Sequence, residues 1–180
     1  MKEDIKEILI SKEKIAEIIA KLGEQISKDY AGKNLLLVSV LKGSVVFMAD
    51  LMRSITIPCQ IDFLAVSSYG DGAKTSGIVK IQKDLDTNLE GYDLLIVEDI
   101  LDTGMTLSYI IDMLKTRNPA SVKICTFLDK PERRQADIEA DYSGISVPDE
   151  FVVGYGLDFA EKYRNLPYVG ILKRSIYEGV

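Results

Sequence analysis

Two adjacent carboxylates, Glu98 and Asp99, precede a third, Asp102, and the run closes on Thr103-Gly104-Met105-Thr106. The two threonine hydroxyls can donate to an oxyanion, and Gly104 lets a ligand come close to the backbone. Ahead of the acids, Leu94-Leu95-Ile96-Val97 reads as a strand buried on both faces, the look of a central parallel strand. Behind the turn, Leu107, Ile110, Ile111 and Leu114 recur at helical spacing. Open α/β sheets bind ligands at the carboxyl ends of their strands, and the N–H groups of a following helix face an anion. Thr103 to Thr106 therefore reads as a phosphate cradle. Asp102 is the anomaly: its charge opposes a bound phosphate, so it must have another task.

Plainer readings fit parts of this pattern. Paired acids at a strand end also open phosphoacceptor domains, but that fold needs roughly a hundred further residues, and here the strand lies past mid-chain. Neither G-x-x-x-x-G-K-[ST] nor G-x-G-x-x-G occurs, so a Walker nucleotidase and a dinucleotide site are both disfavoured. An ordinary strand–turn–helix with solvated acids remains as the plain alternative.

Composition narrows the chemistry. The chain has no histidine, so acid–base work falls to Asp, Glu, Lys, Tyr or the substrate itself. Cys59 and Cys125 are too few and too far apart for a zinc site or a disulfide framework. Carboxylate oxygens remain as metal ligands, and they suit Mg2+, which keeps several waters and leans on substrate phosphates. The 180 residues suit one domain, with 47% apolar content for a single core. A net charge of −6 argues against broad binding to nucleic acid or an anionic membrane. No apolar run reaches the roughly 18 residues of a membrane span, and Met1-Lys2-Glu3-Asp4 does not open a signal peptide. A cytoplasmic protein is expected.

Other elements must position further polar groups. Residues 12 to 30 form an amphipathic helix (Ile15, Ile18, Ile19, Leu22, Ile26), with Ser11 as its N-cap and Gly32 as its stop. Leu35 to Val40 is a second doubly buried strand, and Leu41-Lys42-Gly43-Ser44 leads from it into a helix from about Val45 to Met52. Lys42 thus stands at a second strand end, suited to an anion. Ile61 to Val66 continues the strands. Ser67 to Gly77 then carries three glycines among small polar residues and reads as a mobile loop before Ile78-Val79-Lys80-Ile81. Past Pro119, Ser121 to Leu128 is another strand, with Asp129-Lys130-Pro131 at its end. Glu132 to Asp141 is charge-rich and reads as solvated surface. On residue type alone, Lys130 reads as solvated, Phe151 as core and Asp158 as a turn residue.

Val97 to Thr106, with its Glu-Asp-x-x-Asp-Thr-Gly order, resembles the phosphoribosyl diphosphate signature of the type I phosphoribosyltransferases, in the form of the hypoxanthine (hypoxanthine-guanine) members. The resemblance extends over nearly the whole chain beyond the first helix. It implies an α/β fold with a mostly parallel sheet flanked by helices, and a small hood from about residues 1–33 and 142–180. It also implies transfer of 5-phosphoribosyl to a 6-oxopurine, with Mg2+ as cofactor, small molecules rather than nucleic acid or membrane as partners, and a homodimer or homotetramer. By the same resemblance, Glu98, Asp99, Asp102, Thr103, Gly104, Met105 and Thr106 hold the ribose and its 5-phosphate. Asp102 handles the proton of the base. Lys42 and Gly43 (after a peptide that can be cis), Ser68, Tyr69 and Arg164 serve the diphosphate. Ile100, Lys130, Phe151, Val152 and Asp158 serve the purine, and Glu98, Asp99 and Asp158 the metal.

Three other readings make different demands. A phosphoribosyltransferase-fold RNA-binding regulator should show a basic face, against the net charge of −6. A purely structural protein of this fold would not need the full set of acids, lysines and arginine. A sister enzyme for adenine is opposed by Lys130, whose ammonium donor suits a 6-oxo group.

Overall fold

The structure is a computed structural model that describes residues 1–68 and 79–178. Its main sheet has six strands in the order β4-β3-β2-β5-β6-β7. These are β2 (Leu35–Leu41), β3 (Cys59–Ser68), β4 (Val79–Lys83), β5 (Asp93–Leu101), β6 (Ser121–Asp129) and β7 (Tyr142–Ser146). All neighbours pair in parallel except β4, which returns antiparallel to β3 at one edge. The central places of β2 and β5 explain their unbroken apolar runs: Leu35 to Val38 and Leu94 to Val97 have essentially no exposed surface.

Helices cover both faces. On one, α1 (Lys12–Asp29) and α2 (Val45–Ser54) bury Ile15, Ile18, Ile19, Leu22, Ile26, Phe47 and Leu51 against the sheet. On the other, α3 (Met105–Lys115) buries Leu107, Ile110, Ile111 and Leu114. Ser11 caps α1 as its residue type predicts, accepting from the Lys14 N–H at 3.3 Å.

A second, three-stranded antiparallel sheet has the order β1-β9-β8, from β1 (Ile5–Ile10), β8 (Val152–Val153) and β9 (Val169–Leu172). It joins the two ends of the chain, as a hood requires, and a four-residue helix α4 (Arg174–Tyr177) follows it. Its limits are narrower than the 1–33 and 142–180 expected. α1 packs in the main core, and β7 is the edge strand of the main sheet. The amphipathic stripe of α1 establishes that it packs but not on which sheet. Among the described residues no helix is long and apolar enough to cross a membrane.

Candidate active site

β5 runs on through both carboxylates to Leu101, because β6 keeps pairing with it: Glu98 faces Thr126, Ile100 faces Leu128 and Leu101 faces Asp129. The acids are therefore held on a strand rather than hanging from its end. Gly104 then adopts φ +77°, a left-handed conformation that other residue types rarely tolerate, and forms the N-cap of α3. The first helical bond runs from the Ser108 N–H to the Gly104 carbonyl at 2.8 Å, so the N–H groups ahead of it point out of the helix end. Glu98, Ile100, Asp102, Thr103, Gly104 and Thr106 line a cavity of about 170 Å3 around this turn. Met105 sits beside it, half exposed.

The turn is clamped from a direction the sequence reading did not anticipate. The Gln135 and Ala136 N–H groups donate to the Thr103 carbonyl at 2.9 and 3.1 Å. Arg134 donates through Nε to the Asp102 carbonyl at 3.0 Å and through Nη1 to the Ile138 carbonyl at 2.7 Å, and it pairs with Asp129. Glu132 to Asp141 is thus not simply solvated surface, since its arginines have partners about thirty residues back in the chain. Arg133 is the other. Its Nε donates to Asp102 Oδ1 at 2.7 Å, and its Nη1 lies 3.3 Å from Asp149 Oδ1. The charge run that reads as solvated was the only available signal for both.

A second cavity, of about 360 Å3, adjoins the first and shares Ile100 and Asp102 with it; Lys130, Phe151, Val152 and Leu157 complete its middle. Lys130 is buried, not solvated, and its Nζ donates to the Glu150 carbonyl at 2.7 Å. Phe151 is exposed rather than core, and it lines this cavity together with Tyr177. Val152 is buried behind it.

The third group gathers where β2 ends. The Leu41–Lys42 peptide is cis. Gly43 lies so close to Asp99 that a Cβ there would sit 1.9 Å from Asp99 Oδ2. Lys42 Nζ pairs with Glu161 Oε2 at 3.2 Å. Arg164 reaches the same place, with Nη1 on the Gly156 carbonyl at 2.8 Å and Nη2 at 2.8 Å from Asp158 Oδ1 and 3.5 Å from Glu161 Oε1. Glu161 stands on a two-residue hairpin closed by Phe159 and Lys162, where Ala160 and Glu161 both have positive φ. Asp158 does not line the purine-sized cavity, where its neighbour Leu157 does; its two oxygens face Arg164 and the Glu161 N–H. The expectations for Tyr69 and the loop to Gly77 lie outside the described residues; Ser68 ends β3.

Burial raises the pKa of both acids on β5. Glu98 is held well above the ordinary carboxyl range by burial and then by its neighbour Asp99. Asp99 is pushed up to about 6, chiefly by burial, against the opposing pull of the Ile100 N–H and Arg164. An adjacent acid pair that burial disfavours as anions is suited to a bound cation. Among the described residues, no three His, Cys, Asp or Glu side chains form a cage for a metal.

Comparison with known proteins bears on the family. Residues 4–160 match the family described as the phosphoribosyl transferase domain. A hypoxanthine-guanine phosphoribosyltransferase of Streptococcus thermophilus is 59% identical over 177 residues, covering 98% of both chains. Its counterpart in Streptococcus mutans is 56% identical over the same share. A crystal structure of a hypoxanthine phosphoribosyltransferase from Staphylococcus aureus superposes with a TM-score of 0.96 at 53% identity, covering 98% of this chain and 96% of that one. By fold, site and sequence the chain belongs to the phosphoribosyltransferase family, among its hypoxanthine-guanine members.

Proposed function

We propose that this protein transfers the 5-phosphoribosyl group of 5-phosphoribosyl 1-diphosphate to a 6-oxopurine, hypoxanthine first and guanine or xanthine as further bases. The products are the nucleoside 5′-monophosphate and diphosphate. The observation that carries this reading is the shared wall of the two cavities. Ile100 and Asp102 line both the anion-binding turn and the base-sized pocket. A bond between a phosphorylated sugar and a base would form at that boundary.

The new bond joins the base N9 to C1 of the sugar as the C1–oxygen bond to diphosphate breaks, so positive charge develops on the sugar. Lys42, Gly43 and Arg164 hold the departing diphosphate, Arg164 through the planar fork that matches phosphate oxygens. Ser68 and Tyr69 are assigned to the same diphosphate by the resemblance. Glu98 and Asp99 take the ribose hydroxyls, while Thr103 to Thr106 hold the 5-phosphate at the start of α3. Glu98 and Asp99, with Asp158, are also the residues to hold Mg2+. When bound, Mg2+ supplies positive charge to the leaving diphosphate. Lys130 donates to the 6-oxo oxygen, Phe151 stacks on the ring, Ile100 covers its opposite side and Val152 meets its edge through backbone groups. Asp102, beside N7, takes or shares the proton as N9 attacks, which gives the acid in the phosphate turn its task.

We place the enzyme in the cytoplasm as a homodimer or homotetramer, in line with its two free cysteines and the resemblance. The test is a base panel with phosphoribosyl diphosphate and Mg2+, following nucleotide formation. Product from hypoxanthine only when both are present supports the reading; no product from hypoxanthine, guanine or xanthine removes it.

A further inference from the structure

We infer that Tyr177 of the C-terminal helix is a positioning residue for the base, acting through Phe151; the inference rests on the purine-site reading above. Phe151 stands just before β8, and its carbonyl accepts from the Leu172 N–H at 2.8 Å, which ties it to β9. Five residues beyond Leu172 the chain brings Tyr177 back onto the Phe151 ring. The centroids are 4.9 Å apart and the planes 24° from parallel. Phe159 meets the same ring edge-on, at 5.6 Å and 90°. Tyr177 therefore covers one face of Phe151, yet the residue keeps 37% of its surface exposed. Phe151 and Tyr177 both line the cavity that holds Ile100 and Lys130.

The ring spacing decides how Tyr177 acts. Rings in stacking contact leave no gap for a base between them, since a planar ring inserted there would need roughly twice the stacking distance. A base that stacks on Phe151 while this pair persists takes the ring face opposite Tyr177. An unsupported phenylalanine turns about its side-chain torsions, and each bound base would have to order it. Tyr177 and Phe159 hold the plane before the base arrives. The tail that carries Tyr177 is itself anchored, because the Lys173 N–H donates to the Asp4 carbonyl at 2.9 Å and the Glu178 N–H to the Arg174 carbonyl at 2.8 Å. Ile176 packs into the hood cluster with Leu172 and Tyr163. The last turn of the chain is thereby a wall of the base site, which nothing in the signature at residues 97–106 indicates.

The test uses the full chain, with Tyr177→Ala, Tyr177→Phe and Phe151→Ala compared in steady-state kinetics. Tyr177→Ala should raise KM for hypoxanthine about 3–10-fold, the scale of one aromatic pair. Its kcat and its KM for phosphoribosyl diphosphate should stay within about twofold, since the contact concerns only the base. Tyr177→Phe, which keeps the ring, should behave as the parent. An unchanged or lowered hypoxanthine KM in Tyr177→Ala, beside a raised one in Phe151→Ala, overturns the inference alone; a lowered value would mean that Tyr177 obstructs the pocket. If both variants change kcat, both KM values and the thermal midpoint together, Tyr177 is a general structural residue and the inference falls. If Phe151→Ala leaves hypoxanthine KM unchanged, the cavity is not the purine site, and the inference fails with that reading.

Discussion

Asp102→Asn isolates the acid that is out of place in a phosphate turn. The substitution keeps size and shape and removes one negative charge and one proton acceptor. A cap role would predict little change, because Asn caps helices about as well as Asp. The structure gives that role to Gly104, and the Asp102 carboxylate faces Arg133 at 2.7 Å instead. The loss should therefore fall on chemistry. General acid–base groups contribute about 10^2–10^4-fold, and kcat should drop within that range. Affinity for phosphoribosyl diphosphate should hold or improve. Taking about 6 Å between Asp102 and the phosphate charge, and the dielectric of a water-accessible site, the relieved repulsion is about 0.7 kcal/mol, or roughly threefold in Kd. The low end applies because Asp102 is 39% exposed and already neutralised by Arg133.

The measurement is single-turnover nucleotide formation, so that product release does not mask the chemical step, with diphosphate-substrate affinity taken separately by calorimetry. Arg133→Leu is the control. It removes the pairing partner and leaves the base, so it should keep kcat within a few fold. In the Asp102→Asn background it should restore nothing. Near-parent turnover in Asp102→Asn would reduce the residue to scaffolding, and loss of turnover together with loss of affinity would make it a binding residue. Recovery in the double variant would show that an unbalanced Arg133, not a missing base, caused the defect.

Lys130→Ala should cut kcat/KM for hypoxanthine about 10–100-fold, the worth of a charged hydrogen bond to a buried oxygen; unchanged kcat/KM removes Lys130 from the purine site. Gly43→Ala drives a methyl into Asp99 Oδ2, and a displacement of about 1 Å at a reacting centre can cost 10^2-fold. The variant should stay folded by circular dichroism and lose about that much kcat/KM for phosphoribosyl diphosphate, whereas parent activity would mean that Asp99 moves freely. Asp62 is buried and accepts from the Phe63, Asp86 and Thr87 N–H groups at 2.7, 3.0 and 3.0 Å. Burial raises its pKa, but those donors outweigh it and the net direction is down. Its stabilisation is then present above the unfolded carboxyl value of about 4 and lost as pH falls through the lower folded value. Asp62→Asn should cost about 2–3 kcal/mol in urea unfolding at pH 7, with the deficit shrinking toward pH 3; a pH-independent deficit would contradict the assignment.

The parts that were legible in the sequence are those whose burial is total. β2 and β5 lie mid-sheet and must be apolar on both faces, so Leu35 to Val40 and Leu94 to Val97 announce themselves, and Gly104 marks the turn into α3. β7 was not legible. An edge strand with one neighbour needs no apolar run, and Tyr142-Ser143-Gly144-Ile145-Ser146 has none; Gly144 is there because a Cβ would lie 2.5 Å from the Phe127 carbonyl. From Gly154 to Tyr163 six residues take positive φ and only isolated bridges form, so no period exists for a pattern to show. Asp158 and Arg164 could be named only through resemblance. Arg133 and Arg134 were missed for a different reason, since local sequence cannot distinguish a solvated charge run from one whose partners, Asp102 and Asp129, lie on other strands' ends.

Those long-range pairs also explain how a chain of net charge −6 can take up a polyanion. Among the described residues, four cations of the site already have an acid: Lys42 with Glu161, Arg164 with Asp158, Arg133 with Asp102, and Lys130 near Asp149 at 3.8 Å. Paired in this way, these cations cost little to keep in the folded site. A phosphorylated substrate must then exchange pairs rather than merely arrive, replacing carboxylates such as Glu161 on the exposed side chain of Lys42. The gain is a difference between two ion pairs, so affinity depends on the multidentate fork and the helix N–H groups more than on net charge. Broad electrostatic attraction would draw any nucleic acid. On the proposed assignment, exchange at fixed positions would select an anion whose 5-phosphate and diphosphate reach the turn at Thr103 and the pair at Lys42 and Arg164 together.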